Sequence, residues 1–454
     1  MGDFSGLQIA LSSLYAQRKA LDVTGQNLAN VNTEGYSRQR VDMVSDSGPL
    51  TPAVYSRWVG TGQGVKAGSV QRLRDMFMEV RGHQEHATNE YMKTVQGTYS
   101  QIEQVFSEPS DTGLGSQMAD YWAGWDDLAN RPDDMAARSQ LIQRGQTLAN
   151  GFAQADAIMA GQIQTNKDQL DATLANVNAT AARIADLNST IQAAVGSGLS
   201  PNDLQDQRDT LINQLAEQAG ATTKPGVVPG TLDVYIGSTA IVSGTRAETI
   251  QSAVSPNPPN ATSVVWTKDG LPAGVGGQAK GYVDAIDTTI PQYRANLASV
   301  AQQVATATNA VHVTGFDLQG NAGQAFFVTN ANGLIDVNPA IVGNPALVAA
   351  SNSATATLDG SIAKQLAGTT APDTSYQSMI VTLGVDAQSA NRRVDIQSAI
   401  TLQVDQARDS EAGVNLDEEM TNLIQYQHAY DAAAKFMSVV DSTLDTLING
   451  LGIG

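Results

Sequence analysis

Both ends of the chain carry a helical pattern that is apolar on two sides, and that arrangement leaves few ways to fold them. Residues 5 to 30 place Leu7, Leu14, Leu21 and Leu28 at seven-residue intervals with Leu11 between, the spacing of a helix seam. At about 100° per residue, Ile9, Ala16, Ala20 and Val23 fall on nearly the opposite side. The C-terminal stretch repeats the property: Leu416, Met420, Leu423, Tyr430, Ala434, Met437, Leu444 and Ile448 form a near-heptad seam, with Ala429, Ala432, Phe436 and Val439 behind it. Ordinary core helices are also two-sided. Chain ends, however, are usually the least buried part of a protein, so this pattern favours two helices that pair with each other and then with neighbouring subunits.

Helical periodicity continues inward. Val95, Tyr99, Ile102 and Phe106 mark one segment, and Leu170, Leu174, Val177, Ala181, Ile184, Ile191 and Val195 keep a heptad spacing interrupted at Asn188. Further helices are expected over 204–219, 283–311 and 375–408. The composition changes after Gly220: Pro, Gly, Thr and Val dominate, and Leu232, Val234 and Ile236 alternate as in a strand. A turn at 316–323 leads into a second strand near Phe326-Phe327-Val328. The expected fold is mainly α with a β insertion, made of discontinuous, elongated helical-bundle and coiled-coil domains closed by both chain termini, plus a small β-rich outer domain. The corresponding boundaries are 1–40 with 413–454 for the terminal coiled coil, 41–220 with 282–312 and 361–412 for the helical bundle, and 221–281 with 313–360 for the β-rich part. A chain of 454 residues has length enough for about three domains.

The chemistry that this composition excludes is considerable. Lys and Arg total 26 against 45 Asp and Glu, a formal charge of −19 that disfavours nucleic acid. The lack of cysteine removes thiolate nucleophiles and Cys-type metal sites. Gly60-Thr61-Gly62-Gln63-Gly64 lacks the ending of a phosphate-binding loop and reads as a turn. His83-Gln84-Glu85-His86 is one residue short of a zincin motif and reads as a solvated helix surface; His428, between Tyr426 and Tyr430, reads as a packing or hydrogen-bonding residue. Asp317, Gln319 and Asn321 lack the acidic residue that closes a calcium loop. Asp417-Glu418-Glu419 sits where a helix begins, with Asn415 as its cap. No catalytic residue, cofactor site or metal site is therefore expected, nor any direct membrane insertion, since no run approaches a charge-free span.

The most specific string follows the first helix: Asn27-Leu28-Ala29-Asn30-Val31-Asn32-Thr33-Glu34-Gly35-Tyr36-Ser37-Arg38-Gln39-Arg40-Val41. Asn30 and Asn32 are suited to left-handed conformations that cap the helix, and Gly35 to a sharp turn before Tyr36 opens an extended segment. This string resembles the signature shared by the rod, hook and hook-associated proteins of the bacterial flagellum. Gly-Tyr-Ser-Arg-Gln at 35–39, Asp203 to Leu211 and the segments 413–420 and 425–430 are similar to the family of the first hook-associated protein, found at the hook-filament junction. The resemblance is weakest over about 252–360, where a reduced outer domain is expected.

Membership in that family implies a structural, non-enzymatic adaptor on the distal hook that permits filament assembly. It implies an extracellular location on the flagellum, reached by type III export without a cleaved signal peptide. The implied partners are hook protein below, the second junction protein and filament above, further copies of itself in a ring, and an export chaperone for the C-terminal helix. Leu7, Leu14, Leu21 and Leu28 would then pack on the C-terminal seam, while the opposite stripes, including Ile9, Val23, Phe436 and Val439, await assembly. Asn27, Asn30, Thr33, Gly35 and Tyr36 would shape the turn. Alternatives are a hook or rod protein, against which the helical stretch 91–220 argues, a secreted effector or hydrolase, and a cytoplasmic coiled-coil adaptor.

Overall fold

The computed structural model describes residues 3–46, 62–256, 258–331 and 333–451. The elements follow in chain order: α1 (Asp3–Ala29), β1 (Gln39–Ser45), β2 (Val65–Arg72), α2 (Met76–Phe106), α3 (Leu114–Asn130), α4 (Met135–Gly196) and α5 (Asn202–Ala219). After these come β3 (Thr222–Pro225), β4 (Leu232–Ile236), β5 (Thr239–Ser243), β6 (Arg246–Ala247), β7 (Ile250–Pro256) and β8 (Pro259–Trp266). The remainder is α6 (Gly277–Asp284), α7 (Ile290–His312), β9 (Phe327–Thr329), β10 (Ile335–Val337), α8 (Pro339–Gly343), α9 (Ser361–Ala367), α10 (Ala371–Ala412) and α11 (Leu416–Leu451). A π-helical turn, Ala285–Thr289, joins α6 to α7. The fold is mainly α with small β insertions.

Two compact units divide the chain. The first comprises Met1–Ala87, Val177–Thr249 and Ala399–Gly454; the second comprises Thr88–Asn176 and Ile250–Ser398. The strand-rich segments grouped by sequence as one outer part fall on both sides of this division: β3 to β6 lie in the first unit, and β7 to β10 in the second.

In the first unit, α1 and α11 run antiparallel, with Gly6 beside Val440 and Asn27 beside Glu419. β1 and β2 form an antiparallel hairpin with a register shift between Val41 and Met43, and Val41 and Val70 pack against Ala20 and Val23 of α1. This hairpin stands in a stretch assigned from sequence to the helical bundle. Val44 falls out of step with Val41 and Met43, and Val70 with Val65 and Ala67, so no clean alternation announces these short strands. β3, β4, β5 and β6 form a meander in that order, with Val234 and Ile236 of β4 buried. α5 ends at Gly220, whose φ of 71° accepts the left-handed cap.

The second unit holds the larger core. Trp125, Tyr121, Phe326 and Phe327 are fully buried together, joined by Leu128, Leu141, Leu148, Phe152 and the inner face of α7. His312 is fixed within it, its Nε2 accepting from Ala349 N at 2.8 Å. The loop at Asp317 satisfies itself, for the carboxylate accepts from Gln319 N, Asn321 N and Asn321 Nδ2 at 2.8, 2.9 and 3.0 Å.

Candidate assembly surface and the turn that supports it

The signature turn is organised around one side chain. Asn27, buried in the last turns of α1, donates from Nδ2 to Gln39 O at 2.9 Å and to Glu419 Oε2 at 3.0 Å. Its Oδ1 accepts from Tyr36 OH and from Gln39 N, both at 2.9 Å. An asparagine has two donors and one carbonyl oxygen, and here all are used, which ties the helix end, the turn, the start of β1 and α11 at a single point. The left-handed position is Gly35 alone, at φ 77°; Asn30 and Asn32 are not among the described non-glycine residues with positive φ. Asn30 caps in another way, donating from Nδ2 to Gln26 O, while Thr33 Oγ1 donates to Asn30 Oδ1. Any side chain at Gly35 would also collide with Thr210, whose Oγ1 lies 2.6 Å from where a Cβ would stand.

Thr210 belongs to the middle motif on α5, and that motif is the turn's partner. Asp206 accepts from Ser37 Oγ at 2.8 Å, from Ser37 N at 3.2 Å and from Arg72 at 2.8 Å. Asp209 accepts from Arg72 at 2.7 Å and also from Arg74. Asn202 reaches Gln39 Oε1 and Val70 O. Burial opposes the charge on Arg72, but Asp209 and Asp206 outweigh it and hold the guanidinium above its ordinary range. Burial, followed by the nearby charges of Asp203, Asp206 and Glu419, pushes the Tyr36 phenol up. Arg208 takes a different course: it donates to Asn188 Oδ1 and Gly230 O, and burial pushes it down to about 10. Asn188, the apparent fault in the heptad of α4, is a buried clamp that also donates to Leu232 O and Gly244 O. Each motif is visible in the sequence, but their pairing is not. The signal for it is the matched charge of Arg72 and Arg74 against Asp206 and Asp209.

The acidic start of α11 does more than complement the helix dipole. Asn415 Oδ1 accepts from Asp417 N and Glu418 N, as a cap should. Glu419, however, is 2% exposed and pairs with Arg38 at 2.7 Å, while Glu418 pairs with Arg38 at 2.6 Å. The histidine pair also differs from its expected solvated surface. His83 is 4% exposed, and burial pushes it down to about 4. His86 bridges Glu217 at 3.2 Å and Asp405 at 3.0 Å, and the hydrogen bond to Glu217, followed by that to Asp405, outweighs burial and raises it. His428 is exposed. Among the described residues, no group of three or more His, Asp or Glu side chains is placed to hold a metal ion.

The helix pair uses its faces differently from the expectation. The buried side of α1 is Ala10, Ala16, Ala20 and Val23, continued by Thr24 and Asn27. Leu7, Leu14, Leu21 and Ile9 are half-buried and Leu28 is exposed. Small alanines let the two backbones approach closely, so the leucines stand at the margin of the contact. On α11, Leu423, Met437 and Leu444 are half-buried, whereas Leu416, Met420, Tyr430, Phe436 and Val439 are exposed. The side chain of Ile448, with residues 60, 61 and 452–454, lies outside the described residues. No helix of the described residues is long and apolar enough to cross a membrane.

This geometry meets three family matches. Residues 99–327 match the flagellar hook-associated protein FlgK helical domain, 7–36 the flagella basal body rod protein family, and 406–450 the flagellar basal body rod FlgEFG protein C-terminal family. The chain is 30% identical to flagellar hook-associated protein 1 of Bacillus subtilis (strain 168), covering 99% of each. It is 29% identical to the protein of that name from Escherichia coli (strain K12), across 70% of this chain and 59% of the relative. A solved structure, the flagellar hook junction protein FlgK from Burkholderia pseudomallei, aligns at TM-score 0.49 and 24% identity over 55% of this chain and 47% of that one. From the helical-domain match and the end-to-end likeness to the Bacillus relative, the chain belongs to the flagellar hook-associated protein 1 family, structural proteins of the bacterial flagellum.

Proposed function

We propose that this chain is the adaptor between hook and filament, assembling on the distal hook and permitting filament growth above it. The observation that carries the reading is the α1–α11 pair, which joins the two ends of the chain through a narrow alanine-lined contact and leaves large apolar residues of α11 in solvent. Exposed Met420, Phe436 and Val439 on one helix are costly unless a partner covers them. The terminal segments 1–40 and 413–454 then form the inner coiled-coil layer of the assembly. Hook protein lies below, the second junction protein and filament lie above, and further copies stand alongside. Before assembly, an export chaperone covers the C-terminal helix, and the chain leaves the cell by the flagellar type III route. A hook or rod protein would share both terminal matches; the helical-domain match over 99–327 favours the hook-associated role.

Deleting Leu416 to Gly454 from the chromosomal copy tests this. Electron microscopy should show hooks without filaments, and filament subunits should accumulate in the medium. Normal filaments would refute the reading.

A further inference from the structure

The exposed apolar surface of α11 changes sides along its length. The seam toward α1 runs through Glu419, Tyr426, Ala433 and Val440. At about 100° per residue, Leu416, Met420 and Ile424 stand roughly 120° to one side of that seam, and Phe436 and Val439 roughly 110° to the other. All five are exposed, Met420 by 56%, Phe436 by 46% and Val439 by 63%. The remaining quadrants are polar: Glu418, Thr421 and Gln425 occupy the second flank at the start of the helix, and Ser438, Ser442 and Asp445 occupy the first flank farther on.

Resting on the reading of the chain as an assembling subunit, we propose that these two patches meet each other between copies. The Leu416–Met420–Ile424 patch of one copy takes Phe436 and Val439 of a second, parallel copy displaced by about 18 residues, roughly 27 Å along the helix axis. Charge selects this occupant and this displacement. Lys435 is the only Lys or Arg in the sequence of α11, it adjoins Phe436, and the displacement brings it level with Asp417 at the rim of the other patch. Opposite flanks at different heights cannot form a two-fold contact that uses one patch twice. The contact is heterologous, and its axial displacement makes successive copies climb instead of closing in a plane.

The cysteine-free sequence makes a clean test available. Met420→Cys and Val439→Cys are introduced singly, co-expressed in cells lacking the unmodified chain, and oxidised in detached flagella; dimers are mapped by peptide mass spectrometry. The expected result is a 420–439 disulfide in the mixture, no dimer from either variant alone, and a severalfold lower yield when Lys435→Glu is added. Dimers linked 420–420 or 439–439, or no 420–439 dimer in flagella that contain both variants, would overturn the proposed contact while leaving the adaptor reading intact. A yield unchanged by Lys435→Glu would overturn the charge-set displacement. If neither single variant nor the unmodified chain is recovered in flagella, the adaptor reading fails and the contact with it.

Discussion

In the second unit, Tyr121, Trp125, Phe326 and Phe327 are buried completely and pack ring against ring, 5.0 to 6.3 Å between centroids. In the first unit the α1–α11 pair leaves Met420, Phe436 and Val439 about half in solvent, and its signature turn is held by hydrogen bonds and ion pairs. The contrast separates two uses of apolar side chains. The aromatic cluster encloses them in a core; the terminal helix pair fixes its turn with polar contacts and leaves apolar area exposed, which on the proposed function is kept for partners. A polar hub suits the second task because hydrogen bonds define direction, whereas apolar contact does not.

Substitutions that attack each region in turn should separate these two modes. The largest effect is expected from Trp125→Ala, which empties the centre of the aromatic core and should cost about 3–5 kcal/mol. Hydrogen exchange should report that loss in 88–176 and 250–398. Asp206→Ala comes next: it removes both bonds to Ser37 and one of the two carboxylates on Arg72, leaving buried groups unpaired at a cost of about 3 kcal/mol. Its signature is lost exchange protection over 36–41 with the aromatic core unaffected; protection lost equally from both units would break the comparison.

Protonation supplies a finer probe of the first unit. His83 has its folded value pushed down to about 4, so its neutral form favours the fold above about 6.5, and that stability is withdrawn as pH falls from 6.5 toward 4, by up to about 3 kcal/mol. His86 has its folded value raised, so its contribution is fully present below 6.5 and is lost as pH rises through the folded value. Chemical denaturation across pH should show His83→Leu flattening the acid side and His86→Gln, with the smaller effect, flattening the alkaline side. If both variants keep the parent profile, these histidines do not govern it.

Much of this organisation is legible in the sequence because it is local. The helical ends, the strand at Leu232 to Ile236, the cap at Asn415 and the turn at Gly35 all follow from spacing or from one residue's conformational range. What escapes is tertiary. Heptad leucines point to the wrong primary face of α1, since a seam pattern does not reveal that alanines permit the closer approach. Nothing in His83-Gln84-Glu85-His86 indicates that Glu217 and Asp405 arrive from distant helices. The docking of Asp206 on Ser37 spans 169 residues, beyond any local pattern.

The most direct test of the division between a self-sufficient fold and a reserved surface is Phe436→Asp in the chromosomal copy, with the purified variant studied in parallel. Monomer stability should stay within about 0.5 kcal/mol of the parent, while the cells carry hooks without filaments. Filaments of normal number and length on the Phe436→Asp strain would contradict that division.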